Sequence, residues 1–238
     1  MTRAAVIARR ELGSYFYSPI AYVAMTLFLI ATGLAFGRDF RPGQVVAMRS
    51  LLEWMVFFMV GIIPILTMGL LAQERSTGTI ESLMTAPVGE TDVVLGKFLG
   101  ALSFSMILVL LTAAHVGTLL LFGTPDLGPI LTAYLGLVLT IMVYLSVGLL
   151  ISTCTRFQLV SALVSVVILV VFTLICHAVG EIMPDEIRRI IWFVSLVDRY
   201  LHFLQGLVAM DDVVYLLSIV ATMLFLSVKV LESRKWRA

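Results

Sequence analysis

The charged side chains that could do chemistry are concentrated in one short polar segment between two apolar stretches, residues 73–97. This segment reads QERSTGTIESLMTAPVGETDVVLGK, and the sequence on both sides of it favours lipid. Its charged residues are Glu74, Arg75, Glu81, Glu90, Asp92 and Lys97. We expect a membrane protein that keeps so compact a charged element between two spans to use it for a contact in water.

The middle of this segment has the pattern of a short amphipathic helix. Gly78 followed by Glu81 fits a helix N-terminus, because a carboxylate is favoured near the exposed amide groups of the first turn. Ile80, Leu83 and Met84 recur at helical spacing and would form one apolar face, and the proline that follows ends the helix. Two interpretations stay open: the helix docks on a partner in water, or the segment is an ordinary solvated loop.

The end of the segment superficially resembles a phosphate-binding loop but lacks the required pattern. Residues 89–98 read GETDVVLGKF. A P-loop needs G-x4-G-K-[ST], whose backbone amides cradle phosphates and whose hydroxyl holds magnesium. The glycine spacing differs, and Phe98 stands where the hydroxyl is needed. The sequence therefore predicts no cofactor site in this chain, and any ATP is expected to be bound by a separate subunit.

The other reactive side chains form no catalytic or metal-binding arrangement. His115 and His177 lie in apolar stretches without the further ligands that a metal requires, and hydrogen bonds between helices are the favoured interpretation for both. Cys154 and Cys176 lie near opposite ends of one stretch, which is unfavourable for a disulfide. No carboxylate in a span marks a proton path. We therefore predict a protein that is not an enzyme.

Composition places the surroundings of the polar segment in a membrane. The chain has 238 residues, of which 61% are hydrophobic and 13% charged, and its mean hydropathy is +1.08. A soluble domain carries about 25% charged residues and has no core large enough for this much apolar surface. The net charge of +1 gives no indication of a nucleic-acid partner.

The predicted fold is an all-α integral membrane domain of residues 1–238 that crosses the bilayer six times. About 20 apolar residues cross the hydrocarbon core as a helix. The six stretches that qualify are residues 19–36, 54–72, 98–122, 129–153, 158–180 and 213–231. The spacings Gly33–Gly37 and Gly96–Gly100 allow close helix packing. Both pairs lie at span ends, so packing or chance is favoured over a dedicated dimer motif.

Two further segments are too short or too charged to cross a bilayer. Residues 3–17 are basic and then aromatic, which is typical of a helix lying on the membrane interface. Residues 181–212 are apolar but interrupted by charges at 188, 189, 198 and 199. Short interfacial or re-entrant helices are therefore predicted between the fifth and sixth spans.

The distribution of basic residues predicts the orientation. An even number of spans puts both termini on one side of the membrane. Ten of the 16 Lys and Arg residues lie on the side of the termini, and six lie on the other. The positive-inside rule therefore predicts that both termini and the polar segment are cytoplasmic.

The polar segment resembles the first cytoplasmic loop of the ABC-2 type transporter permeases, since QERSTGTIESLMTAPV matches their usual pattern of Glu-Arg, Gly-Thr, Glu, Leu and Pro. The segments RRELGSYFYSPIAYV, LVAMDDVVYLLSIV and LFLSVKVLESRKW are similar to a subgroup of gliding-motility-type permeases. The resemblance covers the whole chain, and the first loop is its most specific part. It implies six transmembrane helices, an N-terminal interfacial elbow helix, a cytoplasmic coupling helix and short outer-face helices before the sixth span.

The resemblance also implies a function and partners. The chain would be the membrane-spanning permease subunit of an ATP-driven exporter in the bacterial inner membrane. Its partners would be two ATPase subunits, which bind ATP and magnesium, and a second permease copy or a paralogue. The residues assigned to the ATPase-coupling interface are Glu74, Arg75, Gly78, Thr79, Glu81 and Leu83. The alternative is a polytopic carrier or a membrane assembly scaffold without an ATPase partner.

Overall fold

The structure is a computed structural model, and it describes residues 2–39, 46–78, 89–122 and 125–235. Within these residues the chain forms helices and connecting turns, with no strand. The helices are α1 (Arg3–Tyr17), α2 (Pro19–Asp39), α3 (Val46–Thr67), α4 (Ala72–Ser76), α5 (Glu90–Leu111), α6 (Ala113–Phe122), α7 (Leu127–Cys154), α8 (Gln158–Val170), α9 (Cys176–Ile182), α10 (Asp185–Val194), α11 (Leu196–Leu204) and α12 (Met210–Lys235). A π-helical turn, Val171–Ile175, joins α8 to α9.

Six helical stretches among the described residues are long and apolar enough to cross a membrane. They are Pro19–Arg38, Met48–Ser76, Glu90–Phe122, Leu127–Cys154, Gln158–Ile182 and Met210–Ser233. Each contains one of the apolar stretches found in the sequence, so the predicted all-α, six-span fold class is confirmed. We number these stretches spans 1 to 6, and we call the end of the bundle at which residues 78 and 89 lie the first-loop end.

Spans 2, 3 and 4 form the centre of the bundle. Their apolar windows are 67%, 61% and 67% buried, against 28%, 22% and 22% for spans 1, 5 and 6. Span 4 approaches span 2 closely at Gly148, where an added Cβ would overlap the side chain of Thr67. Because small residues let membrane helices pack closely, this glycine sets the distance between the two central spans.

Three spans are interrupted. Residues 68–71 form a turn within span 2, Thr112 separates α5 from α6 in span 3, and span 5 contains the π-helical turn. In the π-helical turn, the Thr173 hydroxyl lies 2.9 Å from the hydroxyl of Tyr144 in span 4. Polar groups at such breaks must be satisfied inside the protein, because lipid offers no hydrogen-bond partner.

The segment between spans 5 and 6 contains two short helices, and α11 is inserted among the spans. One face of α11 is buried. The Tyr200 hydroxyl donates to the Leu52 carbonyl of span 2 at 3.0 Å, and the Phe203 ring occupies the notch that Gly136 leaves in span 4. The sequence predicted either interfacial or re-entrant helices for this segment. The packing of α11 against spans 2 and 4 shows that this helix is inserted among the spans.

A buried ion pair fixes α11 to the beginning of span 6, at the end of the bundle opposite the first loop. Arg199 Nη1 lies 2.6 Å from Asp212 Oδ1, and its guanidinium stacks over the rings of Phe193 and Tyr215. His202 Nδ1 lies 2.8 Å from the other oxygen of the same carboxylate. Asp212 is only 3% exposed, so its charge is compensated inside the protein.

The two histidines that the sequence analysis singled out have structural contacts. His177 Nδ1 lies 2.9 Å from Asp198 Oδ1, which joins span 5 to α11. His115 Nδ1 lies 3.0 Å from the Thr112 carbonyl oxygen of its own span. The His115 ring packs edge-on against Phe36 of span 1. His177 therefore makes the predicted hydrogen bond between helices. The prediction is wrong for His115, whose hydrogen bond lies within its own span and which contacts span 1 through its ring.

Candidate functional site at the base of the first loop

The two ends of the polar segment 73–97 meet at a buried lysine. Lys97, near the beginning of span 3, is 3% exposed. Its Nζ lies 2.8 Å from Glu74 Oε1 at the end of span 2 and 3.3 Å from Glu11 Oε2 in α1. A buried charge is stable only when it is paired, and here one ammonium serves two carboxylates. The two ion pairs of Lys97 therefore connect the two sides of the loop with each other and with α1.

Helix α1 can reach Lys97 because span 3 has two glycines on the facing side. A Cβ added at Gly96 would lie 2.6 Å from the side chain of Ile7, and one added at Gly100 would lie 2.6 Å from that of Glu11. Their spacing of four residues places both glycines on one helix face. For this pair, the packing that the sequence allows is thus a contact with α1, whereas a Cβ added at Gly33 or Gly37 would meet nothing within 4 Å.

A tyrosine joins α1 to span 2. The Tyr15 hydroxyl donates to the Leu66 carbonyl at 2.8 Å, and its ring stacks on Phe104 of span 3. Burial raises the pKa of Tyr15, and the nearby Glu11 carboxylate raises it further. The hydroxyl therefore stays protonated and remains a donor, so α1 contacts both spans that flank the loop.

Span 4 fixes the bend that directs the end of span 2 towards the loop. The N–H groups at the start of a helix lack partners within that helix. The Ser152 Oγ of span 4 accepts from the N–H groups of Leu71 and Ala72, both at 3.1 Å, and donates to the Met68 carbonyl at 3.3 Å. One serine therefore satisfies backbone groups on both sides of the turn.

After Ser152, Arg75 makes a second connection between the end of span 2 and span 4. Its Nη1 donates to the Thr155 carbonyl at 3.2 Å, in the turn between spans 4 and 5. We call the cluster of Glu11, Glu74, Arg75, Lys97 and Ser152 the loop base. Its members come from α1 and from spans 2, 3 and 4, so the loop is anchored to half of the spans.

Three of the six residues predicted for the coupling interface are described, and two of them belong to the loop base. The Glu74 and Arg75 side chains contact other parts of this chain, whereas Gly78 is exposed. Gly78 has φ +73° and follows α4, at a position where glycine commonly ends a helix. The sequence analysis placed it instead at the start of the next helix. Thr79, Glu81 and Leu83, with that predicted helix, lie outside the described residues.

The sequence analysis missed Glu11, Tyr15 and Ser152. Glu11 is the only acidic residue within residues 3–17, and such an isolated carboxylate indicates a basic partner. The glycines on either side of Lys97 also indicated a close neighbour there. No local pattern identifies Ser152, because its role depends on a turn 80 residues earlier in the chain.

The loop base has no arrangement for bond chemistry. A cavity of about 210 Å³ opens beside it and is lined by residues that include Arg10, Gln73 and Thr77. Among the described residues, no group of three His, Cys, Asp or Glu side chains is placed to hold a metal ion. What the cluster does is join elements, since its ion pairs and hydrogen bonds connect α1 with spans 2, 3 and 4.

Six membrane-length helices with a buried charged cluster at one end define a polytopic α-helical membrane protein. The family model of the ABC-2 family transporter proteins matches residues 5–233, nearly the whole chain. The chain therefore belongs to the ABC-2 family of transporter proteins. It is the non-catalytic, multi-pass membrane subunit of an ABC transporter, and the family implies ABC ATPase partners. No curated protein matches the chain, and the gliding-motility subgroup stays a prediction.

Proposed function

We propose that this chain is the permease subunit of a bacterial exporter, in which movements of two separate ATPase subunits drive a pathway between two permease copies or paralogues. The ATPases would bind ATP and magnesium, in keeping with the absence of a P-loop from this sequence. Six helices alone make a poor enclosed pathway, and a second copy would supply the other wall.

The first-loop end is proposed to face the cytoplasm, in the inner membrane. The excess of basic residues on the side of the termini supports this orientation. Arg9, Arg10, Arg156 and Lys229 are exposed and belong to that side. This orientation brings the polar segment 73–97 to the compartment that contains ATP.

The single observation that carries the coupling proposal is the pairing of Lys97 with Glu74 and Glu11. An ATPase that contacts Gly78, Thr79, Glu81 and Leu83 would push on a loop whose two ends cannot separate without exposing a buried charge. The movement would pass to spans 2 and 3 together, and through Arg75 and Ser152 to span 4. Transitions of this kind proceed as movements of packed, rigid elements.

Co-purification tests the proposal. The tagged permease is extracted in mild detergent, and we expect an ABC ATPase to co-elute at one copy per permease. If the wild-type chain elutes with no ATPase, the coupling proposal fails, and an assembly scaffold without an ATPase becomes the better description.

The substitution Glu81→Lys tests the loop residues directly. It reverses the charge at the proposed contact, and we expect the amount of co-eluting ATPase to fall about tenfold. The matched control is Glu186→Lys, an exposed residue of α10 at the opposite end of the bundle. Equal ATPase recovery with both variants would exclude Glu81 from the interface.

A further inference from the structure

Helix α1 is tied to the loop base on one side and to span 1 on the other. Only Ser18 separates α1, which ends at Tyr17, from α2, which begins at Pro19. Ser18 is extended, with φ −93° and ψ 120°, and its N–H donates to the Tyr15 carbonyl. A displacement of α1 therefore reaches the beginning of span 1 across a single residue.

We propose that Lys97 is a positioning residue that makes α1 move as one body with the ends of spans 2 and 3, so that a push on the loop also displaces span 1. This inference rests on the proposed function, since it assumes an ATPase at the loop. It adds a route to span 1 to those already proposed to spans 2, 3 and 4. It also makes Glu11, which lies outside the loop, part of the transmission.

The two ion pairs of Lys97 connect different elements. Glu74 closes the loop base at 2.8 Å, and Glu11 brings in α1 at 3.3 Å. Removing the Glu11 charge leaves Lys97 paired with Glu74, so the buried ammonium keeps a partner. Glu11→Gln should therefore loosen α1, which Tyr15 and the glycine notches still contact, while the two sides of the loop stay joined.

The shape of the contact explains why α1 moves with span 3 and does not slide along it. Ile7 and Glu11 occupy the two notches left by Gly96 and Gly100. A shift of α1 along its axis would drive these side chains out of the notches and against neighbouring residues of span 3. Because packed interfaces change between discrete arrangements, α1 either follows span 3 or separates from it.

Electron–electron double resonance on the permease–ATPase complex tests the inference. Spin labels are placed at Val6→Cys in α1 and at Glu186→Cys in α10, at the opposite end of the bundle; both residues are exposed, and the background carries Cys154→Ser and Cys176→Ser. The distance between the labels is measured without nucleotide and after trapping with Mg-ATP and vanadate. We expect a change between the two states in the parent complex and in Lys97→Arg, which keeps the charge.

The same change should be smaller in Glu11→Gln and in Lys97→Met, while the ATPase still co-elutes with Glu11→Gln. Lys229→Met, which breaks an exposed pair with Glu232 at 2.7 Å, serves as the control and should keep it. The inference is overturned if the parent complex shows no change, or if Glu11→Gln keeps the full change. A parent chain that binds no ATPase would contradict the proposed function itself, so the two failures are distinguishable.

Discussion

At the scale of single residues, both ends of the bundle use one buried charge to hold two partners. Lys97 lies between Glu74 and Glu11 at the first-loop end, and Asp212 lies between Arg199 and His202 at the opposite end. Desolvation offsets much of the attraction in a buried pair, so such pairs contribute little net stability while they are intact. Leaving a buried charge without any counter-charge is costly, which makes arrangements that separate all of these elements unfavourable.

Replacing Asp212 with Ala should destabilise the protein by about 3 kcal/mol, because the Arg199 guanidinium then stays largely buried without a counter-charge. Thermal unfolding in detergent measures the loss. Glu232→Ala is the matched control, since Glu232 pairs with Lys229 at an exposed position and surface pairs contribute about 1 kcal/mol or less. Similar unfolding temperatures for the two variants would show that the Arg199 contact is not needed for stability.

At the scale of helices, the sequence predicts the spans well and their neighbours poorly. Apolar length is a local property, so each of the six stretches could be found from composition alone. The insertion of α11 and the pairing of Glu11 with Lys97 depend on which helices are adjacent, and hydropathy does not specify that. Gly96 and Gly100 indicated a close neighbour, yet only the structure identifies it as α1. The predictions for Thr79, Glu81 and Leu83 still rest on the family resemblance.

The contact between α1 and span 3 can be opened with one side chain. Gly96→Leu places its Cβ where Ile7 now lies, and overpacking of this kind costs about 1–3 kcal/mol. We expect α1 to separate about tenfold more often. A cysteine replacing the buried Ala4 should then react correspondingly faster with a maleimide, in a background with Cys154→Ser and Cys176→Ser.

Gly117→Leu is the control for this experiment. It lies in the same span, and an added Cβ there meets nothing within 4 Å. In the Gly117→Leu variant, the Ala4→Cys thiol should therefore still react slowly with the maleimide. An unchanged rate in Gly96→Leu would mean that α1 is held mainly by Lys97 and Tyr15, and that the glycine notches matter less than their geometry indicates.

At the scale of the whole molecule, the proposed coupling requires one orientation in the membrane. Span 5 separates Arg156 from Glu186, and both residues are exposed. The span has 25 residues, so as a helix it is about 37 Å long and exceeds the hydrocarbon core of about 30 Å. The two positions must therefore lie on opposite sides of the bilayer, and Arg156 lies on the same side as the loop base.

A membrane-impermeant maleimide distinguishes the two orientations in spheroplasts of cells that express single-cysteine variants. Since basic residues are retained on the cytoplasmic side, Glu186→Cys should react in intact spheroplasts and Arg156→Cys only after the membrane is permeabilised. A chain with both native cysteines replaced by serine sets the background. The reverse pattern would put Gly78 and the loop base on the side without ATP. No cytoplasmic ATPase could then reach the loop, and no ATPase movement could pass through Lys97 to span 1.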